Sequence, residues 1–260
     1  MLSEIPYPII FAHRGSSLHA PENTLAAFDL ALQHGADAIE LDAKLTRDEQ
    51  VIVIHDQSLD RTTDGSGQIN SFSLAELKDL DAGSHFDSAF KGEKIPTLEE
   101  VFERFGNYTH INVELTNYAT SSDQLPEKVA ELVSRYHLER RVLFSSFNPR
   151  SLSRIHKILP QVPIGLLALP GWKGALARSW MNRWIPHQAL HPEVHDVTPS
   201  LVRKIQRRQK RIFVYTVNTL DEIQTMAEMG VDGIFTDDPP LARKVFQENA
   251  ERESRHKGRT

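Results

Sequence analysis

Glu40 and Asp42 stand two apart in Ala38-Ile39-Glu40-Leu41-Asp42. In a strand that spacing turns both carboxylates to one face and Ile39 and Leu41 to the other. Two carboxylates beside an apolar core repel by about 4 kcal/mol at a separation of ~4 Å and an effective dielectric near 20. An arginine, a shared proton or a divalent cation must offset this, and oxygen-only ligands suit Mg²⁺ or Ca²⁺. Glu114, in Asn112-Val113-Glu114-Leu115, repeats the pattern on a later strand. Three carboxylates at neighbouring strand ends favour the cation over ion pairs alone. His13 ends Phe11-Ala12-His13, His55 ends Val53-Ile54-His55, and each is followed by a charged residue. Imidazoles titrate near neutrality, so two beside a cation can act as general acid and general base. Arg14 supplies a fork of donors suited to phosphate oxygens, and Gly15 lets backbone approach closely. Pro21-Glu22-Asn23-Thr24 opens a helix whose free N–H groups suit an anion. Glu22 reads either as an electrostatic partner or as a helix-start acid.

These side chains must be positioned by strands. Short β-branched runs occur at Ile9–Ala12, Ala38–Thr46, Val51–His55, Ile111–Leu115, Val142–Phe147, Ile164–Ala168, Ala189–His191, Ile212–Val217 and Gly233–Thr236. Helical periodicity falls on Asn23–His34, Gln124–Tyr136, Pro149–Leu159, Pro199–Gln209, Leu220–Met229 and Pro239–Asn249. Such alternation predicts a parallel sheet. The link Arg47-Asp48-Glu49-Gln50 is too short for a crossover, since parallel neighbours need roughly a dozen residues. Val51–His55 should therefore pair back antiparallel on Ala38–Thr46. The remaining eight strands predict an α/β (β/α)₈ TIM barrel. Pairing Thr46 with Val51 sets His55 opposite Asp42, and a slip of one residue would turn its side chain away.

The domain spans residues 1–246, with an insertion at about 57–94, a short helix near Ser73–Leu80 inside it, and a polar tail over 247–260 that should fray. Among 260 residues, 40% are hydrophobic and 25% charged, which excludes bulk disorder. The absence of cysteine excludes disulfides, thiol nucleophiles and cysteine-ligated metals. A net charge of −5 (30 basic against 35 acidic residues) argues against a nucleic-acid partner. No stretch is apolar enough to span a bilayer, and Met1–Gly15 lacks the features of a signal peptide. The expected setting is cytoplasmic.

Taken together, His13-Arg14-Gly15, Pro21-Glu22-Asn23-Thr24, Glu40-Leu41-Asp42, His55-Asp56, Asn112-Val113-Glu114-Leu115 and Gly233-Ile234-Phe235-Thr236-Asp237 resemble the glycerophosphodiester phosphodiesterase family. Leu59-Asp60-Arg61-Thr62-Thr63-Asp64-Gly65 and Leu80-Asp81-Ala82-Gly83 resemble that family's insertion. The resemblance implies a TIM barrel that hydrolyses glycerophosphodiesters to sn-glycerol 3-phosphate and an alcohol. It further implies one Mg²⁺ or Ca²⁺ on Glu40, Asp42 and Glu114, an acid–base pair of His13 and His55, and Arg14 on the phosphate. Many relatives carry lysine two residues after the third acid as a phosphate or glycerol contact, so the resemblance assigns this position, with Arg14, to substrate binding. Here that position is Thr116, a hydroxyl without charge, so another cation takes over or the substrate preference differs.

Three rivals remain. A lysophospholipase D-type phosphodiesterase would use Trp172, Trp180 and Trp184 as a weak lipid contact, although outer-helix packing is the plainer role for these rings. A metal-dependent barrel lyase or aldolase gives the histidines and arginine no joint task. A non-catalytic phosphate-binding module leaves the acids and histidines unexplained.

Overall fold

The computed structural model describes residues 5, 7–120, 122–179 and 185–257. The nine strands among the described residues are β1 Ile9–Ala12, β2 Ala38–Leu45, β3 Val51–Val53, β4 His110–Leu115, β5 Val142–Ser146, β6 Ile164–Ala168, β7 Ala189–Pro192, β8 Arg211–Val214 and β9 Gly233–Thr236. All except β3 run parallel, in the order β1-β9-β8-β7-β6-β5-β4-β2, and β1 pairs with β2 to close the ring. The result is the expected eight-stranded barrel with helices between its strands.

Alternation along each strand divides the core. Ile9, Phe11, Leu143, Phe213 and Phe235 pack together inside the ring. Phe11 stacks on Phe235 at 4.6 Å and tilts against Phe213 at 5.1 Å. Ile39, Leu41 and Ala43 of β2 point outward into the helix layer. Glu40 and Asp42 are left facing inward near the carboxyl ends of the strands, the end where barrels of this type place their chemistry.

β3 pairs antiparallel on the edge of β2 that β1 leaves uncovered. Its register is one residue from the sequence expectation: Leu45, not Thr46, lies opposite Val51. The turn is the cause. Glu49 adopts a left-handed φ of 57° and Thr46 N–H bonds Gln50 O at 3.0 Å, so three residues close the hairpin rather than four. Asp42 thus faces Ile54, whose N–H donates to Asp42 O at 2.9 Å. The ladder stops at Val53, the chain leaves the sheet, and His55 reaches the cavity from that exit rather than as a cross-strand neighbour of Asp42.

Among the described residues the α-helices are α1 Leu25–Gln33, α2 Leu74–Asp79, α3 Leu98–Phe105, α4 Leu125–Arg135, α5 Pro149–Ile158, α6 Ala175–Arg178, α7 Pro199–Gln206, α8 Leu220–Met229 and α9 Pro239–Lys257. Helix α3 is absent from the sequence reading above. Its signal is Thr97-Leu98-Glu99-Glu100, a reciprocal capping box worth roughly 1 kcal/mol. Leu98, Val101, Phe102 and Phe105 then form one buried face. Helix α9 continues past residue 247 to Lys257, where a frayed tail was expected. No proline or glycine interrupts Gln247–Lys257, and Glu, Arg, Lys and Ala all favour helix. The insertion holds its own small core of Ile54, Leu59, Ile69, Leu77, Ala82 and Ile95. Helix α2 lies there as expected, opened by a Ser73–Glu76 capping box. No helix among the described residues is long and apolar enough to cross a membrane.

Candidate active site

Parallel pairing of β2 with β4 sets Asp42 beside Glu114. One oxygen from each of Glu40, Asp42 and Glu114 lies within 4.8 Å of the others. Asn23 donates its amide N–H to Asp42 Oδ2 at 2.9 Å, and Arg14 Nε stands 3.3 Å from the same oxygen, an ion pair without hydrogen-bond geometry. The Arg14 backbone N–H donates to Glu40 Oε2 at 2.9 Å, and Tyr118 OH donates to Glu114. Burial, then repulsion from Asp42 and Glu114, holds the Glu40 carboxyl well above its ordinary value. Burial and then Asp42 push Glu114 up to about 8, against Tyr118 and Arg14. Burial also opposes charge on Asp42, but Arg14, His55 and Asn23 outweigh it and keep that carboxyl low. One guanidinium is too little charge for two buried acids and a third that is half-buried. The oxygen-only donor set and the strained protonation of two of its members fit a divalent cation.

His13 follows β1. Its Nδ1 lies 2.6 Å from Asp237 Oδ1, just past β9, the strand that neighbours β1 in the closed ring. Asp237 also accepts Ser17 Oγ at 3.0 Å and Asn218 Nδ2 at 2.5 Å. Burial works against the Asp237 carboxylate, yet His13, Asn218 and Ser17 bring it down to about 2. His55 repeats the device: Nδ1 is 2.8 Å from Asp56 Oδ1, and Asp56 accepts Arg61 Nε at 2.7 Å. A carboxylate on Nδ1 assigns the proton to that nitrogen and leaves Nε2 to exchange protons with a ligand.

The turn after β1 has Arg14 at φ 57° and Gly15 at φ 87°. A Cβ on Gly15 would lie 2.7 Å from the Ala27 backbone, so only glycine lets this turn press onto α1. Arg14 Nη1 donates to Glu22 Oε1 at 2.9 Å, and Arg61 grips both Glu22 oxygens at 2.6 and 2.8 Å. Glu22 is therefore an electrostatic partner, the first of its two readings. Arg61 comes from the insertion and ties Glu22 and Asp56 together, orienting Arg14 and His55 at once. Its Leu variant is expected to lose about 10–100-fold in turnover. The melting temperature should barely move, because ion pairs this exposed contribute only ~0–1 kcal/mol. Steady-state kinetics alongside thermal melts check both parts.

A cavity of about 210 Å³ joins His13, Arg14, Glu40, His55 and Glu114, with Phe147, Leu167 and Tyr215 as its apolar wall. Thr116 stands apart from it. Its hydroxyl donates to Ala43 O at 2.7 Å and accepts from Lys44 Nζ at 2.8 Å, and neither side chain lines the cavity. Among the later strand ends, Phe147 and Thr216 line the cavity, whereas Ser146 bonds Leu115 O and Asn218 holds Asp237. Asp56, Arg61, Asn23 and Tyr118 are site residues that the sequence reading did not assign. The adjacency His55-Asp56 was the available signal for the first; the others need the fold.

Residues 13–241 match the model of the glycerophosphoryl diester phosphodiesterase family. A glycerophosphodiester phosphodiesterase of Caldanaerobacter subterraneus subsp. tengcongensis is 41% identical over 233 residues, covering 89% of this chain and 94% of that protein. The structure of an Oleispira antarctica phosphodiesterase in complex with the product sn-glycerol-3-phosphate superposes with a TM-score of 0.82 at 31% identity, over 92% of this chain and 97% of that one. The crystal structure of a glycerophosphodiester phosphodiesterase from Agrobacterium tumefaciens gives a TM-score of 0.79 at 31% identity, over 90% and 98%. With the barrel, the acid triad and the family match all in place, the chain belongs to the glycerophosphoryl diester phosphodiesterase family.

Proposed function

We propose that this chain hydrolyses glycerophosphodiesters to sn-glycerol 3-phosphate and an alcohol, using one divalent cation, Mg²⁺ or Ca²⁺, held by Glu40, Asp42 and Glu114. The observation that carries the reading is the meeting, on one cavity, of Glu40, Glu114 and two imidazoles each backed by an aspartate, with Asp42 completing a cluster of three carboxylates within 4.8 Å. When bound, the cation supplies positive charge to phosphoryl oxygens as negative charge grows on them. Arg14 adds a second positive charge on the same wall. The attacking hydroxyl is that of water, or that of the substrate's own glycerol by way of a cyclic phosphate that water then opens, and it gives its proton to Nε2 of one histidine. Nε2 of the other protonates the departing alcohol oxygen. Asp237 and Asp56 stabilise whichever imidazole becomes cationic. Phe147, Leu167 and Tyr215 exclude bulk water, which strengthens every charge interaction inside.

The reading extends to a small-molecule partner and a cytoplasmic setting, with which a cysteine-free chain agrees. A lipid contact would fall to Trp172, which is 83% exposed after β6; Trp180 and Trp184 lie outside the described residues. The test is release of sn-glycerol 3-phosphate from glycerophosphocholine, glycerophosphoethanolamine and glycerophosphoglycerol, and of lysophosphatidic acid from lysophosphatidylcholine, with each cation in turn. Enzyme-dependent release from at least one deacylated substrate is expected, with lysophosphatidylcholine the poorer. No release from any of them refutes the reading.

A further inference from the structure

The proposed mechanism uses neither nitrogen of His191, which sits on the floor of the same cavity. Leu190 of β7 points out into the helix layer, and His191 points into the barrel. Its ring is wholly buried between Phe213 and Phe235, with centroids 5.6 and 5.0 Å away. On β6, Gly165 clears the remaining side: a Cβ there would come within 2.3 Å of the imidazole. Within this fitted slot Nδ1 and Nε2 both lack a hydrogen-bond partner. Burial, aided by His187, holds the ring neutral, with its pKa down at about 3. A neutral imidazole offers one donor and one acceptor, and leaving both unmade in a dry site is costly. A phenylalanine would fill the slot without that cost.

Asn112 supplies a second, independent sign. It lies on β4 beside Glu40 and below Glu114, and gives its amide N–H to Ser145 Oγ at 2.9 Å. Its Oδ1 is buried and has no partner, and the residue lines the same cavity. Beneath the charged ring the floor therefore presents uncharged groups, a donor and acceptors together. Phosphate oxygens only accept and cannot use such a set. Hydroxyl groups, which donate and accept, can.

We propose that His191 and Asn112 form a hydroxyl-binding floor that receives the glycerol end of the ligand and selects glycerol-bearing phosphoesters over other phosphoesters. The inference rests on the function proposed above. It is tested by the binding of sn-glycerol 3-phosphate and of n-propyl phosphate, the same phosphate without hydroxyls, to the cation-loaded enzyme. The wild type should bind the first at least ten-fold more tightly. His191→Phe should bring the two within about two-fold by weakening sn-glycerol 3-phosphate alone, and His191→Gln, which keeps a donor and an acceptor, should retain most of the preference. Asn112→Leu should lose it likewise, which covers the case in which His191→Phe fails to fold. Equal binding by the wild type, or an undiminished preference in both His191→Phe and Asn112→Leu, overturns the proposal. Failure of the functional reading looks different: no diester releases sn-glycerol 3-phosphate, whatever the binding preference.

Discussion

Alanine at His13 or at His55 should lower turnover on the best glycerophosphodiester by about 10²–10⁴-fold, the usual contribution of a positioned acid or base. Both side chains are partly exposed, 20% for His13 and 41% for His55, and neither belongs to the apolar core, so the barrel should remain folded. In the proposed mechanism the two act on opposite ends of one displacement. The double variant should therefore fall little below the worse single one, as for residues that work as a unit. Steady-state rates for the two single variants and the double, with thermal melts as a folding control, decide the matter. Near-normal rates in both single variants would remove the acid–base assignment.

Removing the cation should have a comparable effect. Dialysis against a chelator should abolish turnover, and Mg²⁺ or Ca²⁺ should restore it. The acids add a pH signature with a definite sign. In the cation-free protein, burial and Asp42 push the Glu114 carboxyl up to about 8, and Glu40 is raised in the same way. A carboxyl raised on folding keeps its proton more readily in the native state. Its contribution to stability is full below the ordinary carboxylate range and declines as pH rises toward 8. A cation must displace that proton, so its affinity should climb from pH 6 to pH 8, by a few tens-fold if Glu114 alone is displaced, and then level off. Calorimetric titration at pH 6, 7 and 8 measures this directly. Full activity in chelator, or affinity independent of pH, would contradict the role given to the three acids.

Much of this was legible in the chain because it is written in local spacing. Two-residue alternation put Glu40 and Asp42 on one face, and the short Arg47–Gln50 link separated the hairpin from the barrel. What stayed hidden depended on backbone detail or on closure of the ring. Glu49 in a left-handed conformation shifted the hairpin by one residue, which a residue count cannot reveal. The His13–Asp237 contact joins positions 224 apart, and only pairing of β1 with β9 brings them together. Arg61 matters because the insertion folds back over Glu22, a tertiary event. At Thr116 the sequence posed the choice between a substitute cation and a changed preference, and the structure places Lys44 Nζ on its hydroxyl. Helix α3, by contrast, carries a purely local signal, the Thr97–Glu100 capping box.

Anomalous diffraction from crystals soaked in Mn²⁺, a stand-in for Mg²⁺, tests the account at its centre. The account predicts one strong peak within metal–oxygen bonding distance of Glu40, Asp42 and Glu114, on the cavity that His13 and His55 share. A peak at any other place in the molecule, or none there at saturating Mn²⁺, would contradict it.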